Sequence, residues 1–342
     1  MLGPMQTIDP QDELRVYDAY VAGRLSAGLA AGVRTGLFDV LDSDGPLSCA
    51  ALAEASGLHE RGVRAWLAAM QAGQLVQEVG SGDFALTPAA ARDCVRNKPG
   101  SLAGLIDMEI ENFLSPALVI EGLRGGGPCV YGDGDPWAEH AADPAKARAF
   151  SDAMHAIACS PALALAEKAP LENARRLLDA GGGSGTISVA LARAFPQLHC
   201  TVLEIPAVLP HIEERAHEEG LEQQISALQG DLFAQAWPTG FDAVLLSQIM
   251  HDWSDDEGAR LLRRAYNALN PGGTVLIHEK LIEPDGGPLA NALVNLDMLV
   301  WTEGRQWSAT DLEQLMQQAG FEGVQAQKTY GYWSLVSATR PG

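Results

Sequence analysis

Leu177-Leu178-Asp179-Ala180-Gly181-Gly182-Gly183-Ser184-Gly185-Thr186, continued by residues 187–195 and then 199–204, decides the fold. The short run Arg176-Leu177-Leu178 stops at a dense glycine cluster, as a buried strand does at a tight turn. Beyond the turn, Ile187, Leu191 and Phe195 recur at helical spacing and share one helix face. A second apolar strand, 199–203, ends on the carboxylate of Glu204. Strand, turn, helix and strand form a βαβ unit of a parallel sheet, with an acid at the second strand tip. In such sheets a nucleoside ligand sits against the strand C-termini and the helix N-terminus.

The glycine spacing discriminates among nucleosides. A dinucleotide turn carries glycine at its first, third and sixth positions so that a pyrophosphate reaches the helix N-terminus. Here the sixth position is Thr186, and the glycines fall at Gly181, Gly183 and Gly185 behind the acid Asp179. That acid would repel a pyrophosphate but would pair with the ammonium group of an amino-acid tail. The pattern therefore favours S-adenosylmethionine over NAD, with Glu204 as bidentate acceptor for the two ribose hydroxyls. The alternative is a glycine-rich turn with no ligand.

At 342 residues the chain has room for about two domains. Its formal charge is −21, from 23 basic against 44 acidic residues, with no Lys/Arg cluster. This argues against a nucleic-acid partner, which needs a basic patch. Cys49, Cys94, Cys129, Cys159 and Cys200 lie far apart with no C-x-x-C, indicating neither a disulfide framework nor a zinc knuckle. No basic leader precedes an apolar stretch, and no apolar segment of about 18 residues stands out. The expectation is a cytoplasmic protein that engages no membrane.

Toward the N-terminus, residues 12–40 place Leu25, Leu29, Val33 and Leu37 at helical spacing and predict a buried helix pair. Helices are predicted over 48–55 and 60–73, then a β-hairpin from 75–79 and 83–87 around Gly80-Ser81-Gly82. Three helices and a hairpin make a winged-helix pattern. Its recognition helix would offer DNA only Arg61 and Arg64, so the preferred role is dimerisation, for which the apolar first helices are suited. Residues 101–170 read as helical, broken at Gly125-Gly126-Gly127-Pro128 and at Gly132-Asp133-Gly134-Asp135-Pro136. Phe150, Met154, Ile157 and Pro161 share one side of a helix, which serves either as plain core or as the wall of an adaptable apolar pocket.

From residue 171 strands and helices alternate. Residues 242–247 are a buried strand, and Ser254-x-x-Glu257 is a capping box opening a helix over 255–269. Asn270-Pro271-Gly272-Gly273 ends it before a strand over 274–278. Ser308 and Asp311 open a further helix closing at Ala319-Gly320, and 332–338 belongs to an antiparallel final hairpin.

Three strand tips carry chemistry. Gly230-Asp231-Leu232-Phe233 puts a carboxylate where an adenine amino group could donate to it, with Phe233 packing nearby; Asp231 could equally be only a turn residue. His251 lies just past the 242–247 strand, where it serves as a helix-terminus partner or as a base accepting a hydroxyl proton near neutrality. Glu279, at the next strand tip, could orient it, as the carboxylate of a catalytic triad does. His278-Glu279 beside His251 lacks the spacing of H-E-x-x-H, so no metal is expected.

These residues together resemble the S-adenosylmethionine-dependent small-molecule O-methyltransferases of the plant caffeate and flavonoid, acetylserotonin and bacterial natural-product type. The resemblance covers nearly the whole chain. It is carried by 178–185, Leu203-Glu204-Ile205-Pro206, Gly230-Asp231-Leu232-Phe233, His251-Asp252-Trp253-Ser254-Asp255 and Asn270-Pro271-Gly272-Gly273. It implies an α/β fold: a Rossmann-like catalytic domain over 171–342, a helical connector over 101–170 contributing to the acceptor pocket, and an N-terminal all-helical winged-helix dimerisation domain over 1–100. By the same resemblance His251 is the base, Glu279 its orienting acid, and Glu204 and Asp231 the ribose and adenine ligands, with Leu232, Phe233 and Ser247 beside the cofactor. Met154, Met250, Asp252, Asp297 and Met298 match the acceptor pocket.

Two positions depart from the family pattern. Gln306, in Glu303-Gly304-Arg305-Gln306-Trp307-Ser308, stands where many relatives have a second orienting carboxylate, and Ser247 stands where a lysine is common. The expected reaction is methyl transfer from S-adenosylmethionine, giving S-adenosylhomocysteine, to a hydroxyl of an aromatic small molecule by a homodimer. Carbon or nitrogen methylation, a non-methylating enzyme on the same fold, and a ligand-sensing winged-helix regulator are the alternatives.

Overall fold

The computed structural model describes residues 10–112, 115–131, 134, 137, 138 and 142–342. Its backbone groups into two units, Met1–Glu111 and Asn112–Gly342. Residues 101–111 thus belong with the first unit and the rest of the connector with the second.

In the first unit, helices α1 (Pro10–Thr35) and α2 (Leu37–Ser43) precede β1 (Leu47–Ser48), α3 (Cys49–Ser56) and α4 (Glu60–Ala72), and β2 (Val76–Val79) and β3 (Asp83–Leu86) form the wing. Helices α5 (Pro88–Asp93) and α6 (Ala103–Asn112) follow. Local chemistry sets the boundaries: Ser48 accepts the Ala51 N–H to start α3, and Gly57, at φ 67°, closes it. The unit is not all-helical, because β1 pairs antiparallel with β3 and completes a three-stranded sheet in the order β1-β3-β2. Helix α4 buries Val63, Trp66, Leu67 and Met70. The Trp66 ring meets Phe38 edge-on at 5.1 Å and donates its Nε1–H to the Gly28 carbonyl at 2.9 Å. The expected buried helix pair holds only in part. Ala30 and Val33 of α1 are buried, but Leu14, Val16, Tyr17, Tyr20 and Leu25 face solvent in the single chain.

The second unit opens with α7 (Pro116–Gly125), stopped by left-handed Gly126, and α8 (Pro144–Ala166). Of the expected break at 132–136, only Gly134 lies within the described residues. Then come β4 (Arg176–Ala180), α9 (Thr186–Ala194), β5 (His199–Glu204), α10 (Leu209–Glu218), β6 (Ile225–Gln229) and β7 (Phe241–Ser247). They are followed by α11 (Asp255–Ala268), β8 (Leu269–Glu279), α12 (Leu289–Trp301), α13 (Ala309–Gln318), β9 (Glu322–Lys328) and β10 (Ser334–Thr339). The seven strands run β6-β5-β4-β7-β8-β10-β9, with β10 antiparallel between β8 and β9. Strand order reverses between β4 and β7, the switch point at which open α/β sheets hold ligands.

Leu177, Val202, Leu245 and Leu276 on one sheet face and Leu178, Leu203, Val244 and Ile277 on the other are buried, so each strand is apolar on both sides as a covered parallel sheet requires. Asn270-Pro271-Gly272-Gly273 is not a free turn: it forms the irregular start of β8, where the register with β7 shifts between Phe241 and Ala243. Helix α11 keeps half of its expected capping box. Ser254 accepts the Glu257 N–H at 3.4 Å, and the Glu257 carboxylate takes the Ser254 hydroxyl instead of closing on the backbone. The box of Ser308 and Asp311 is complete. By length and composition α8 is apolar enough to cross a membrane, which corrects the expectation that no such segment exists; here it packs against α9 as a core helix.

Candidate active site

The loop after β4 turns on three glycines in the left-handed region, Gly181 (φ 74°), Gly183 (φ 56°) and Gly185 (φ 77°), where a side chain would be strained. A Cβ on Gly182 would lie 2.5 Å from the Asp179 carboxylate, so this acid folds back under the loop. Asp179 is only 1% exposed and accepts from Ser188 Oγ at 2.7 Å. Burial, against that hydrogen bond, pushes its pKa up to about 6.

At the tip of β5, Glu204 Oε1 accepts the Gly183 N–H at 3.1 Å and Oε2 the Ile205 N–H at 2.7 Å. The carboxylate is thereby locked in place, and each oxygen keeps a second lone pair for a ligand hydroxyl. Burial pushes its pKa up to about 7 despite both backbone donors. After β6, Asp231 is exposed, and its Oδ1 accepts the N–H groups of Phe233 at 2.6 Å and Ala234 at 2.8 Å, the turn role named as its alternative. It still lines the same cavity as Glu204, Leu232 and Phe233.

His251 sits in a 3₁₀ turn, Met250–Asp252, just past β7. Because β8 is the parallel neighbour of β7, Glu279 arrives beside it: Nδ1 lies 2.7 Å from Glu279 Oε2. Glu279 is itself held, its Oε1 accepting the N–H groups of Ile249 and Met250 at 3.1 Å each. On the cavity side, Nε2 lies 3.5 Å from Asp252 Oδ1. Burial alone would lower the imidazole pKa; the charges of Glu279 and Asp252 and the Glu279 hydrogen bond outweigh it and push it up to about 9. Asp252 is pushed up to about 7 by burial, against the attraction of His251.

The structure brings Asp179, Gly181, Gly183, Glu204, Asp231, Leu232, Phe233, Ser247, His251, Asp252 and Met154 to one cavity. Other expected residues stand apart from it. Gly185 lies behind the loop as the N-cap of α9, and Glu279 acts from behind His251. Met250 turns away because the 3₁₀ turn points it beneath α11, its Cε 3.2 Å from where a Gly258 Cβ would be. Met298 is buried within α12 beside the Thr302 hydroxyl, and half-buried Asp297 does not reach the cavity wall. Gln306 does not hold His251: both amide atoms are buried and have no hydrogen-bond partner among the described residues, while its backbone N–H donates to Asn295 Oδ1 at 2.8 Å. Of the predicted α8 stripe, Phe150 and Met154 line the cavity and Ile157 and Pro161 do not.

An aromatic group escaped the sequence reading. Trp137, Phe150, Trp253 and Trp301 line the cavity near His251, with Trp137 stacked 6.1 Å from Trp253, 5.6 Å from Trp301 and edge-on to Phe150 at 6.1 Å. Phe233 meets Trp253 edge-on at 4.6 Å and so joins the cofactor side to this wall. His155 on α8 also faces the cavity. Gln248, between β7 and His251, takes φ 55°, a strained conformation of the kind that concentrates at functional sites.

The chain is similar to known proteins over most of its length. The O-methyltransferase domain family matches residues 123–322, and the Rv2258c-like winged HTH domain matches residues 23–92. The 3-hydroxy-5-methyl-1-naphthoate 3-O-methyltransferase of Streptomyces sahachiroi is 32% identical over 302 residues, 86% of each chain. The tetracenomycin polyketide synthesis 8-O-methyl transferase TcmO of Streptomyces glaucescens is 30% identical over 335 residues, 97% of each chain. Human N-acetylserotonin methyltransferase, solved in complex with SAM, shares the fold with a TM-score of 0.86 over 99% of this chain and 100% of that one, at 24% identity. With the O-methyltransferase family model matching more than half of the chain and two bacterial relatives matching 86% and 97% of it at 30% identity or more, the chain belongs to the S-adenosylmethionine-dependent small-molecule O-methyltransferase family.

Proposed function

We propose that this enzyme methylates a phenolic hydroxyl of an aromatic small molecule, with His251 as the general base. The observation that carries the reading is the His251–Glu279 pair, 2.7 Å apart, opening onto a cavity walled by Trp137, Phe150, Trp253 and Trp301. Such a wall favours a flat aromatic guest, since rings pack by offset stacking and edge contacts. The residues also suit the cofactor: Glu204 for ribose hydroxyls, Asp231 and Phe233 for the adenine side, and the carboxylates for a net cation. S-adenosylmethionine supplies an electrophilic methyl group on sulfur. What remains for the chain is to align the acceptor oxygen and to remove its proton.

The raised pKa of His251 bears on that proton. A free phenol has a pKa near 10, so an unperturbed imidazole at about 6.5 would be mismatched by roughly 3.5 units, or about 5 kcal/mol. The charges of Glu279 and Asp252 raise the imidazole toward the phenol, and the mismatch shrinks. Incubation with methyl-labelled S-adenosylmethionine and a panel of phenols, carboxylates and amines tests the reading. Label is expected on a phenolic oxygen together with S-adenosylhomocysteine. Label on carbon or nitrogen, or no label with any acceptor, would replace it.

We propose further that the first unit builds a homodimer and binds no nucleic acid. Leu14, Val16, Tyr17 and Tyr20 of α1 are more than half exposed in one chain, an apolar surface that a second copy would cover. Arg64 on the helix that would read DNA is already bonded to Glu60 of the same helix, and the net charge of −21 opposes a polyanion. The free cysteines and acidic composition suit a cytoplasmic enzyme. Light scattering is expected to report a mass near twice 36.2 kDa; a mass near one chain would refute the dimer.

A further inference from the structure

We infer that His155, with the Thr186 hydroxyl beside it, receives the α-carboxylate of the amino-acid tail of S-adenosylmethionine. The inference rests on the cofactor placement just proposed. Strand order gives the direction in which the cofactor lies: Asp231 and Phe233 follow β6, Glu204 ends β5, the glycine loop follows β4, and His251 follows β7. With adenine at β6 and ribose at β5, the tail falls at β4 and the reacting end faces β7.

At the β4 position, α8 presents His155 to the loop. Its Nδ1 lies 2.7 Å from Oγ1 of Thr186, the first residue of α9, and Thr186 Oγ1 lies 3.3 Å from Ser184 Oγ. All three residues line the cavity. A carboxylate arriving there meets an acidic site, since the described cavity wall carries Asp179, Glu204, Asp231 and Asp252 and neither lysine nor arginine. Of its two histidines, His251 stands at the β7 end, occupied by Glu279. His155 is therefore the basic group that the described cavity wall offers the tail, and Ser184 and Thr186 add hydroxyl donors.

The charges around His155 are mixed. Cys159 lies 3.4 Å from its Nε2 on the same helix, Asp152 lies one turn earlier, and Arg215 of α10 and Glu219 beyond it act from the facing helix. Burial and then Arg215 hold the pKa down at about 4, so the ligand-free imidazole is neutral. A carboxylate at the ring works against both effects and strengthens as the ring gains charge.

The test compares S-adenosylhomocysteine with 5′-methylthioadenosine, which keeps the adenosine and sulfur and lacks the amino-acid tail. Calorimetry on the full chain is expected to show His155→Gln weakening S-adenosylhomocysteine by about 10- to 100-fold, the scale of a lost hydrogen bond to a charged group, while 5′-methylthioadenosine binds within about twofold of wild type. Glu204→Ala, removing a ribose contact, should weaken both. Equal losses for the two ligands in His155→Gln would mean that the residue only shapes the pocket, and unchanged S-adenosylhomocysteine affinity would remove it from the tail site; either overturns the inference. If the wild-type chain binds neither ligand, or if Glu204→Ala weakens neither, the cofactor placement itself falls, and the inference with it.

Discussion

His251→Ala should reduce turnover by ~10²–10⁴-fold, the usual effect of removing a general base, while affinity for S-adenosylhomocysteine stays near wild type. The separation follows from the sheet. The residues proposed for the adenosine stand on the tips of β5 and β6, and His251 stands past β7, so the substitution would remove the proposed proton acceptor without touching the loop. Full turnover on the true acceptor would show that alignment alone suffices and that this imidazole takes no proton. The pH dependence adds a sign that a packing effect would not produce. Glu279 raises the His251 pKa, and the base form exists only above that pKa, so the rising limb of the wild-type rate profile should lie alkaline of an ordinary histidine. Glu279→Gln withdraws the charge, so its limb should move toward acid as maximal turnover falls. A limb that stayed in place or moved toward alkali would separate Glu279 from the titration.

What the sequence made legible, and what it did not, divides along the reach of each interaction. The glycine loop, Glu204 and the caps of α11 and α13 are local, because turn geometry and first-turn N–H groups select residue types within a few positions of one another. The pairing of His251 with Glu279 was legible one step further out, since consecutive parallel strands bring their C-terminal tips together. Met250 was not, because a 3₁₀ turn after the strand redirects its side chain into the core, and strand alternation says nothing of that.

The wall of Trp137, Phe150, Trp253 and Trp301 draws on three separate stretches of chain that meet only in the folded unit, so nothing at the level of spacing announces it. His155 was within reach: Ala147, Ser151, His155 and Ala158 recur at helical spacing and all face the cavity. The larger residues of the neighbouring stripe, Phe150 to Pro161, give the stronger periodic signal, and only half of that face is pocket. Gln306 is a different case. It stands where the family pattern has a carboxylate, but a neutral amide has no electrostatic reason to turn toward an imidazole already bracketed by Glu279 and Asp252, and its side chain lies buried without a partner among the described residues.

Gly304 should prove as demanding as the base itself, although it carries no chemistry. The segment 303–308 crosses directly over the turn that holds His251: Trp307 Nε1 donates to the Met250 carbonyl at 2.9 Å, and Arg305 bonds Asp255 and Asp311 on the far side. An alanine Cβ at position 304 would overlap the His251 carbonyl oxygen and lie 2.6 Å from the Trp253 nitrogen and 2.7 Å from the Asp252 carbonyl carbon. These are backbone atoms, fixed by Glu279 on one side and by the start of α11 on the other, so no side chain can swing aside to relieve the overlap. Relief requires the turn to move by roughly 1 Å, and misplacement of that order in a catalytic group costs about 100-fold in rate. Gly304→Ala is therefore expected to lose about that much turnover while still binding S-adenosylhomocysteine, because the loop after β4 is untouched. Glu303→Ala, one residue earlier and exposed, should behave as wild type. Wild-type turnover in Gly304→Ala would mean that the His251 turn tolerates displacement, and the argument that its position limits the rate would fail with it.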